Sequence, residues 1–322
     1  MSVSIRILEI PIAIRALKTA SVYYLETDSG KYLIDSGMDY EIETFLKGYG
    51  ISPGSIDAVL MTHLHIDHIG GSAILRTKYG IQSYMGERDI ERVRALQVSP
   101  EDFIHWQKDY LSIHGVPSFY LDSMNESHPI FSELKSYLNF DAKPFSDLPD
   151  LEKVFHIIDT PGHSPGSTCF QLLDNSGVFT GDHVLERITP NISYYDETED
   201  MLGEYLVSLD RIQELGISRA YPGHGKPFDT LMETVQKIKN HHSERLREVE
   251  NICKRGPISA YEVAGKMRWS RGRTMESMNI MEANFAIGEA ISHLRHSVVE
   301  GTIEEQNNGE KIFYQTIQNK SA

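Results

Sequence analysis

Cysteine is nearly missing from this chain: Cys169 and Cys253 are the only two in 322 residues, and neither sits in a CxxC pair. Two thiols cannot build a disulfide framework, so stability must come from a packed core, and a reduced, cytoplasmic setting is expected. Long apolar runs are missing as well. The longest are strand-sized, well short of the ~18 residues a membrane-spanning helix needs, so no membrane role is expected. Arg6, Arg15 and Lys18 are scattered among short apolar runs, with no basic start leading into an apolar block and a small-residue cleavage site, so secretion is not expected. Excess positive charge is lacking too, since a net charge of −15 disfavours a general nucleic-acid binder. There are no internal repeats. Hydrophobic content of 40% and charged content of 24% belong to an ordinary folded chain, which excludes fibrous and disordered readings.

The acidity is unevenly placed. Residues 231–322 hold 13 Lys and Arg against 12 Asp and Glu, a net of +1, whereas residues 1–230 hold 18 against 34, a net of −16. Within the tail, Lys254, Arg255, Lys266, Arg268, Arg271 and Arg273 are opposed only by Glu262. This cluster reads first as a solvated face and second as a patch facing phosphates.

Ser21–Glu26 and Lys31–Asp35 read as hairpin strands around the Asp28-Ser29-Gly30 turn. Ile56–Thr62, Val154–Asp159, Thr168–Leu173, Val178–Thr180 and Ala220–Tyr221 read as further strands. Tyr40–Tyr49, Gly70–Tyr79 and Glu204–Leu215 carry helical spacing. Strands apolar enough to be covered on both sides, with helices between them, indicate sheets packed together inside outer helices. Residues 89–145 hold Phe103, Trp106, Tyr110, Phe119, Tyr120, Phe131, Tyr137 and Phe140 without strand alternation, which predicts a helical insertion whose aromatics serve partly as core and partly as a substrate entrance.

The expected division is a catalytic domain over 1–230 and a smaller domain over 231–322. In the latter, Leu231–Lys254, Ser259–Met267 and Asn279–His296 read as helices. Val298–Ile303 and Lys311–Ile317 read as strands flanking Asn307-Asn308-Gly309, the order of a winged helix. Glu289 is expected on the exposed face of the last helix, and Met275, Met278, Met281 and Phe285 are expected in the core of this domain.

The informative string is His63-Leu64-His65-Ile66-Asp67-His68, four metal-binding side chains within six residues where an apolar strand turns into a helix. Three more strands end in a Gly-bordered ligand: Pro161-Gly162-His163, Gly181-Asp182-His183 and Pro222-Gly223-His224. A lone His beside a Gly turn is usually just a loop residue. Five His and two Asp all at strand ends point instead to one pocket. Imidazole and carboxylate donors without thiolate suit two divalent ions, Zn2+ first, with Mn or Fe also compatible. Water bound to such ions loses its proton near pH ~7 and supplies hydroxide, the chemistry of hydrolysis at an activated carbonyl or phosphoester.

The pattern resembles the metallo-β-lactamase superfamily. Its HxHxDH signature is matched by His63, His65, Asp67 and His68, its next His by His163, its bridging carboxylate by Asp182 and its last His by His224. The resemblance covers about Leu8–Phe228 and implies an αββα sandwich of the α/β class. It implies one metal on His63, His65 and His163 and a second on Asp67, His68 and His224, with Asp182 shared; Asp67 and Asp182 become the expected catalytic carboxylates. Asp35 resembles the aspartate that orients a ligand histidine, and His183 is expected to stand behind the ligands without binding metal.

Among the superfamily's activities, the lack of a leader disfavours a secreted lactam-degrading enzyme, and His65 stands where diiron reductases generally have Glu. Leu185 stands where quorum-signal lactonases typically place a Tyr, which leaves Tyr194 and Tyr195 as candidate substrate contacts. Only 42 residues separate Asp182 from His224, too few for the extra domain of the β-CASP nucleases. The expected function is hydrolysis of a small ester or thioester, as in the glyoxalase-II-like and β-lactamase-like-2-type branches. A single-strand-directed endoribonuclease and a mononuclear iron persulfide dioxygenase are the alternatives. The tail is read as a lid or homodimer element ahead of a nucleic-acid binder.

Overall fold

The computed structural model describes residues 3–12, 18–38, 41–127 and 134–317. Arg15, Tyr40 and Phe131 lie outside them. Twelve strands appear among the described residues: β1 Val3–Pro11, β2 Thr19–Thr27, β3 Gly30–Ile34, β4 Ala58–Leu60, β5 Gln82–Met85, β6 Ala142–Pro144, β7 Phe155–Asp159, β8 Thr168–Leu172, β9 Val178–Gly181, β10 Ala220–Pro222, β11 Ile303–Asn307 and β12 Ile312–Thr316. The chain forms two compact units, residues 1–98, 133–190 and 207–236 in one, residues 99–132, 191–206 and 237–322 in the other.

The first unit is built on two sheets. One runs β1-β2-β3-β4-β5-β6, antiparallel through β3 and parallel beyond it; the other runs β10-β9-β8-β7, with β9 and β10 parallel. Strand β2 shows why they stack. Its β-branched and aromatic residues suit a pleated surface, and Tyr23 and Leu25 share one face, joining Tyr32, Ile34 and Leu60 in a core with Phe155, Phe170 and Phe179 of the second sheet. Val22 and Tyr24, on the other face, are buried as well. Each such side chain contributes roughly 1.5–3 kcal/mol by leaving water. The fold is therefore of the expected α/β class. Ile56–Thr62 is trimmed to the three residues of β4, and β1, β5 and β6 add strands that short or mixed-polarity runs did not advertise.

Among its described residues, the regular structure of the second unit is helical apart from the β11–β12 hairpin. Its core joins Tyr110, Leu111 and Val116 to Val263, Ile287, Ile291, Leu294, Ile303 and Tyr314. Helix Pro100–Ile113 starts at Ser99, whose hydroxyl accepts from the Asp102 N–H at 3.3 Å, with Pro100 in its first turn. Helices Ala260–Lys266 and Ile280–Val299 each begin with a reciprocal capping box, Ser259 with Glu262 and Asn279 with Glu282.

Several expectations need correction. The units are not consecutive segments cut at residue 230: aromatics of helix Pro100–Ile113 bury against the helices and hairpin of the tail, so much of the 89–145 segment clusters with the tail, while β6 in the same segment completes a sheet of the first unit. Val298 and Val299 prolong a helix, and the hairpin starts only at Ile303. Glu289 is not on an exposed face; the Arg245 Nε donates to it at 3.1 Å, while Arg245 itself lies over the Trp269 ring. Met275 packs on the core, but Phe285 is 42% exposed, because the Asn279 cap starts a new helix and breaks the assumed spacing. No helix among the described residues is long and apolar enough to cross a membrane.

Candidate metal centre

The seven candidate ligands all belong to the first unit, where the strand ends bring four ligand-bearing segments together. Parallel pairing of β3 with β4 places Asp35 beside the His63–His68 stretch, and parallel pairing of β9 with β10 places Asp182 beside His224. Backbone bonds lock the loops: Thr168 N–H donates to the Thr62 carbonyl at 2.8 Å, Gly223 N–H to the Gly181 carbonyl at 2.7 Å, and Ser21 N–H to the Gly223 carbonyl at 2.8 Å. Gly223 is needed for close approach, since a Cβ there would stand 2.3 Å from Asp182 Oδ1 and 2.7 Å from His68 Cε1.

All seven expected ligands converge. His63, His65 and His163 form one cluster, His63, His68 and Asp182 a second, and Asp67, His68 and His224 a third, with donor atoms in each within 4.8 Å of one another. Asp182 faces both ways: its Oδ1 is 3.5 Å from His68 Nε2, and its Oδ2 is 3.2 Å from His224 Nε2 and 3.8 Å from His163 Nε2. Asp67 Oδ2 lies 3.3 Å from His224 Nε2. Apart from half-buried His65, all seven are buried.

The back of three of the rings is fixed. His68 Nδ1 bonds Asp35 Oδ2 at 2.7 Å, His224 Nδ1 bonds the Thr19 carbonyl at 2.7 Å, and His63 Nδ1 bonds the Thr62 hydroxyl at 2.9 Å. Asp35 also accepts from the Thr62 N–H at 2.8 Å, so one carboxylate ties a ring to a strand end, as expected of it. With Nδ1 engaged, the Nε2 atoms of His63, His68 and His224, together with Asp182 Oδ1, are buried without a hydrogen-bond partner. Four such atoms, close to one another in a common space and without a well-formed hydrogen bond, suit the ligands of a cation.

The electrostatics agree. Burial drives His63 well below its usual range and His65 to about 3, with neighbouring imidazoles adding to the effect. For His224 burial acts in the same direction, but Asp182 and Asp67 outweigh it and raise the ring to about 10; His68 is raised well above its ordinary value by Asp35, Asp182 and Asp67 against the same burial. Desolvation would push the Asp182 carboxyl up, yet His224 and His68 hold it well below the usual carboxylate range. The cluster balances imidazoles against carboxylates in a dry space, a setting in which a divalent ion replaces shared protons.

The remaining candidates fall elsewhere. His183 is buried behind Asp182, its ring pushed down to about 3 by burial, and belongs to none of the clusters. Tyr194 lies in the second unit, its hydroxyl accepting from Gln107 at 3.3 Å and its ring 4.9 Å from Tyr110; Tyr195 is half-buried in the same unit. Sequence reasoning missed Asp89, a buried carboxylate in the first turn of helix Glu87–Val98 that bonds two of the ligand loops. Its one signal was an acidic residue early in a helix, too common to single it out. It also missed the Tyr137 hydroxyl, which bonds the Ile66 backbone between two ligands.

The sequence profile of the Metallo-beta-lactamase superfamily matches residues 17–224. The chain is 29% identical over 236 residues to an atrochrysone carboxyl ACP thioesterase of Aspergillus fumigatus, covering 72% of this chain and 59% of that protein. It is 27% identical to a Beta-lactamase-like protein 2 homolog of Caenorhabditis elegans, covering 74% and 66%. The chain thus spans about three fifths to two thirds of the length of these curated relatives. Among solved structures it is similar to a metallo-beta-lactamase family protein of Thermus thermophilus, with 25% identity, a TM-score of 0.78 and coverage of 97% and 98%. A beta-lactamase domain protein of Burkholderia ambifaria shares the fold at 23% identity and a TM-score of 0.78, with coverage of 97% and 92%.

Proposed function

The chain belongs to the metallo-β-lactamase superfamily, and from that premise we propose that it is a binuclear metal-dependent hydrolase of a small ester or thioester. The observation that carries this reading is the set of orphaned Nε2 atoms facing a carboxylate with one oxygen toward His68 and the other toward His224 and His163. His63, His65 and His163 would hold one ion and Asp67, His68 and His224 the other, with Asp182 shared between them. Divalent ions held there, Zn2+ before Mn or Fe, supply Lewis acidity and a water acidic enough to be deprotonated near pH ~7. Asp182 fixes the spacing of the two positions, and the Nδ1 bonds to Asp35, Thr62 and Thr19 fix which nitrogen each ring offers.

Water attacks the acyl carbon, the bond to sulfur or oxygen breaks, and acid plus thiol or alcohol leave. Asp67 is the carboxylate we assign to take the water's proton and return it to the leaving group. The likeness to a thioesterase supports a thioester over other acyl substrates. The RNA alternative draws less support from the tail, where Arg273 is spent on a bidentate bond to Glu282, one arm at 2.9 Å, and Arg268 stands 3.6 Å from Glu248. Thiol release from a panel of acyl thioesters by metal-replete protein is expected, and single-stranded RNA should stay intact. RNA cleavage without thioester or ester turnover would replace this reading with the nuclease.

A further inference from the structure

Two buried carboxylates that are not themselves proposed ligands stand behind the cluster, and only one of them, Asp89, also bonds the His163 loop. Asp35 grips His68 and the strand end at Thr62. Asp89 grips the other side. Its Oδ2 accepts from the Leu64 N–H at 2.9 Å, between His63 and His65, and from the Ser164 hydroxyl at 2.6 Å, next to His163; its Oδ1 accepts from the Gly166 N–H at 2.6 Å. Asp89 has no exposed surface. A capping role within its own helix does not explain these bonds, because all three donors lie on loops outside that helix.

The fit is tight as well as polar. A Cβ at Gly166 would stand 2.5 Å from the Asp89 backbone nitrogen and 2.8 Å from its side chain, so the His163 loop is seated on this residue with no slack. Three hydrogen bonds to one ionised group, each stronger than a neutral pair, make a short rigid bridge between the two loops that carry His63, His65 and His163. None of these three bonds reaches Asp67, His68 or His224.

We propose that Asp89 is a positioning residue for one metal position alone, setting the separation of the His63–His65 stretch from His163 and hence the affinity of that trio for its ion. This rests on the binuclear reading above. It predicts an asymmetry that a merely structural buried carboxylate would not produce.

The test isolates each position by removing a ligand of the other and titrates folded, metal-stripped protein with Zn2+ against a competing chelator. In a His224→Ala background, adding Asp89→Asn should weaken the remaining site by about 10–100-fold, the usual scale for losing a partner that orients a ligand. In a His63→Ala background, adding Asp89→Asn should leave Zn2+ affinity within about twofold. Equal weakening of both positions, or of neither, would overturn the proposal. Should Asp89→Asn fail to fold, Ser164→Ala removes one of the three bonds, and selective weakening in the His224→Ala background decides the matter. Failure of the parent protein to bind Zn2+ would sink the binuclear reading itself, a result distinct from symmetrical weakening.

Discussion

Both units bury histidines, and they do so in opposite ways. In the first, His63, His163 and His224 sit on loops at strand ends, His68 sits in the short helix Ile66–Ile69 that follows one, and they meet Asp67 and Asp182. In the second, His242 and His293 lie within helices and His114 just past the end of one. There His242 Nδ1 faces His293 Nε2 at 3.1 Å, His293 Nδ1 bonds the Glu289 carbonyl at 2.7 Å, and His114 Nδ1 faces the Tyr314 hydroxyl at 3.1 Å. Burial pushes His114 down to about 4 and His293 to about 3, and no carboxylate counteracts it. Burial of imidazole is therefore common to both units, and only convergence with carboxylates distinguishes a candidate site. The three clusters able to hold an ion among the described residues all lie in the first unit.

The comparison is broken most forcefully at Asp182. Asp182→Ala should leave a folded chain whose thioester turnover falls at least about 10²–10³-fold, the scale for losing a single preorganised electrostatic group. Steady-state thiol release beside an unchanged circular dichroism spectrum checks it. Next comes Gly223→Ala, whose methyl would collide with Asp182 and His68; a loss of about 10–100-fold in Zn2+ affinity is expected in chelator competition.

The helix histidines should respond differently. His293→Leu leaves the Nδ1–H donor of His242 unmatched, because His293 Nδ1 donates to the Glu289 carbonyl and its Nε2 therefore accepts, and should cost about 1–3 kcal/mol in urea unfolding, with metal content unchanged. The pH dependence of the parent protein follows from the same groups. The folded values of His114 and His293 lie below the ordinary 6.5, so the unfolded chain takes up protons first. Their contribution is complete above pH 6.5 and is lost as pH falls toward 4, by about 1.4 kcal/mol per pH unit for each ring. Urea midpoints across that window should fall more steeply in the parent protein than in His293→Leu. The smallest effects belong to the basic cluster: Arg268→Ala, with its side chain 95% exposed, should change stability by less than about 0.5 kcal/mol.

The convergence of the seven candidate ligands was legible because each lies in a short motif whose glycines and placement near strand ends are themselves sequence features. Asp35 was legible by resemblance, and the structure ties it to His68. Asp89 was not, because its partners are two backbone N–H groups and a serine, which leave no mark on sequence spacing. The sheets were legible where apolar runs were dense. Strand β6, Ala-Lys-Pro at the edge of its sheet, has no pattern to read and is fixed by its parallel pairing with β5. The helix starts expected at Ser259 and Asn279 match the structure, where both residues cap their helices through local chemistry. The gathering of residues 99–132 with the tail depends on contacts far apart in the chain, which periodicity cannot report.

The central claim, that seven side chains of the first unit hold two ions, is tested most directly by native mass spectrometry of protein expressed with ample divalent metal. The spectrum should show close to two ions per parent chain and a clear deficit in Asp182→Ala. A parent protein that carries no divalent ion, folded and metal-replete, would contradict it.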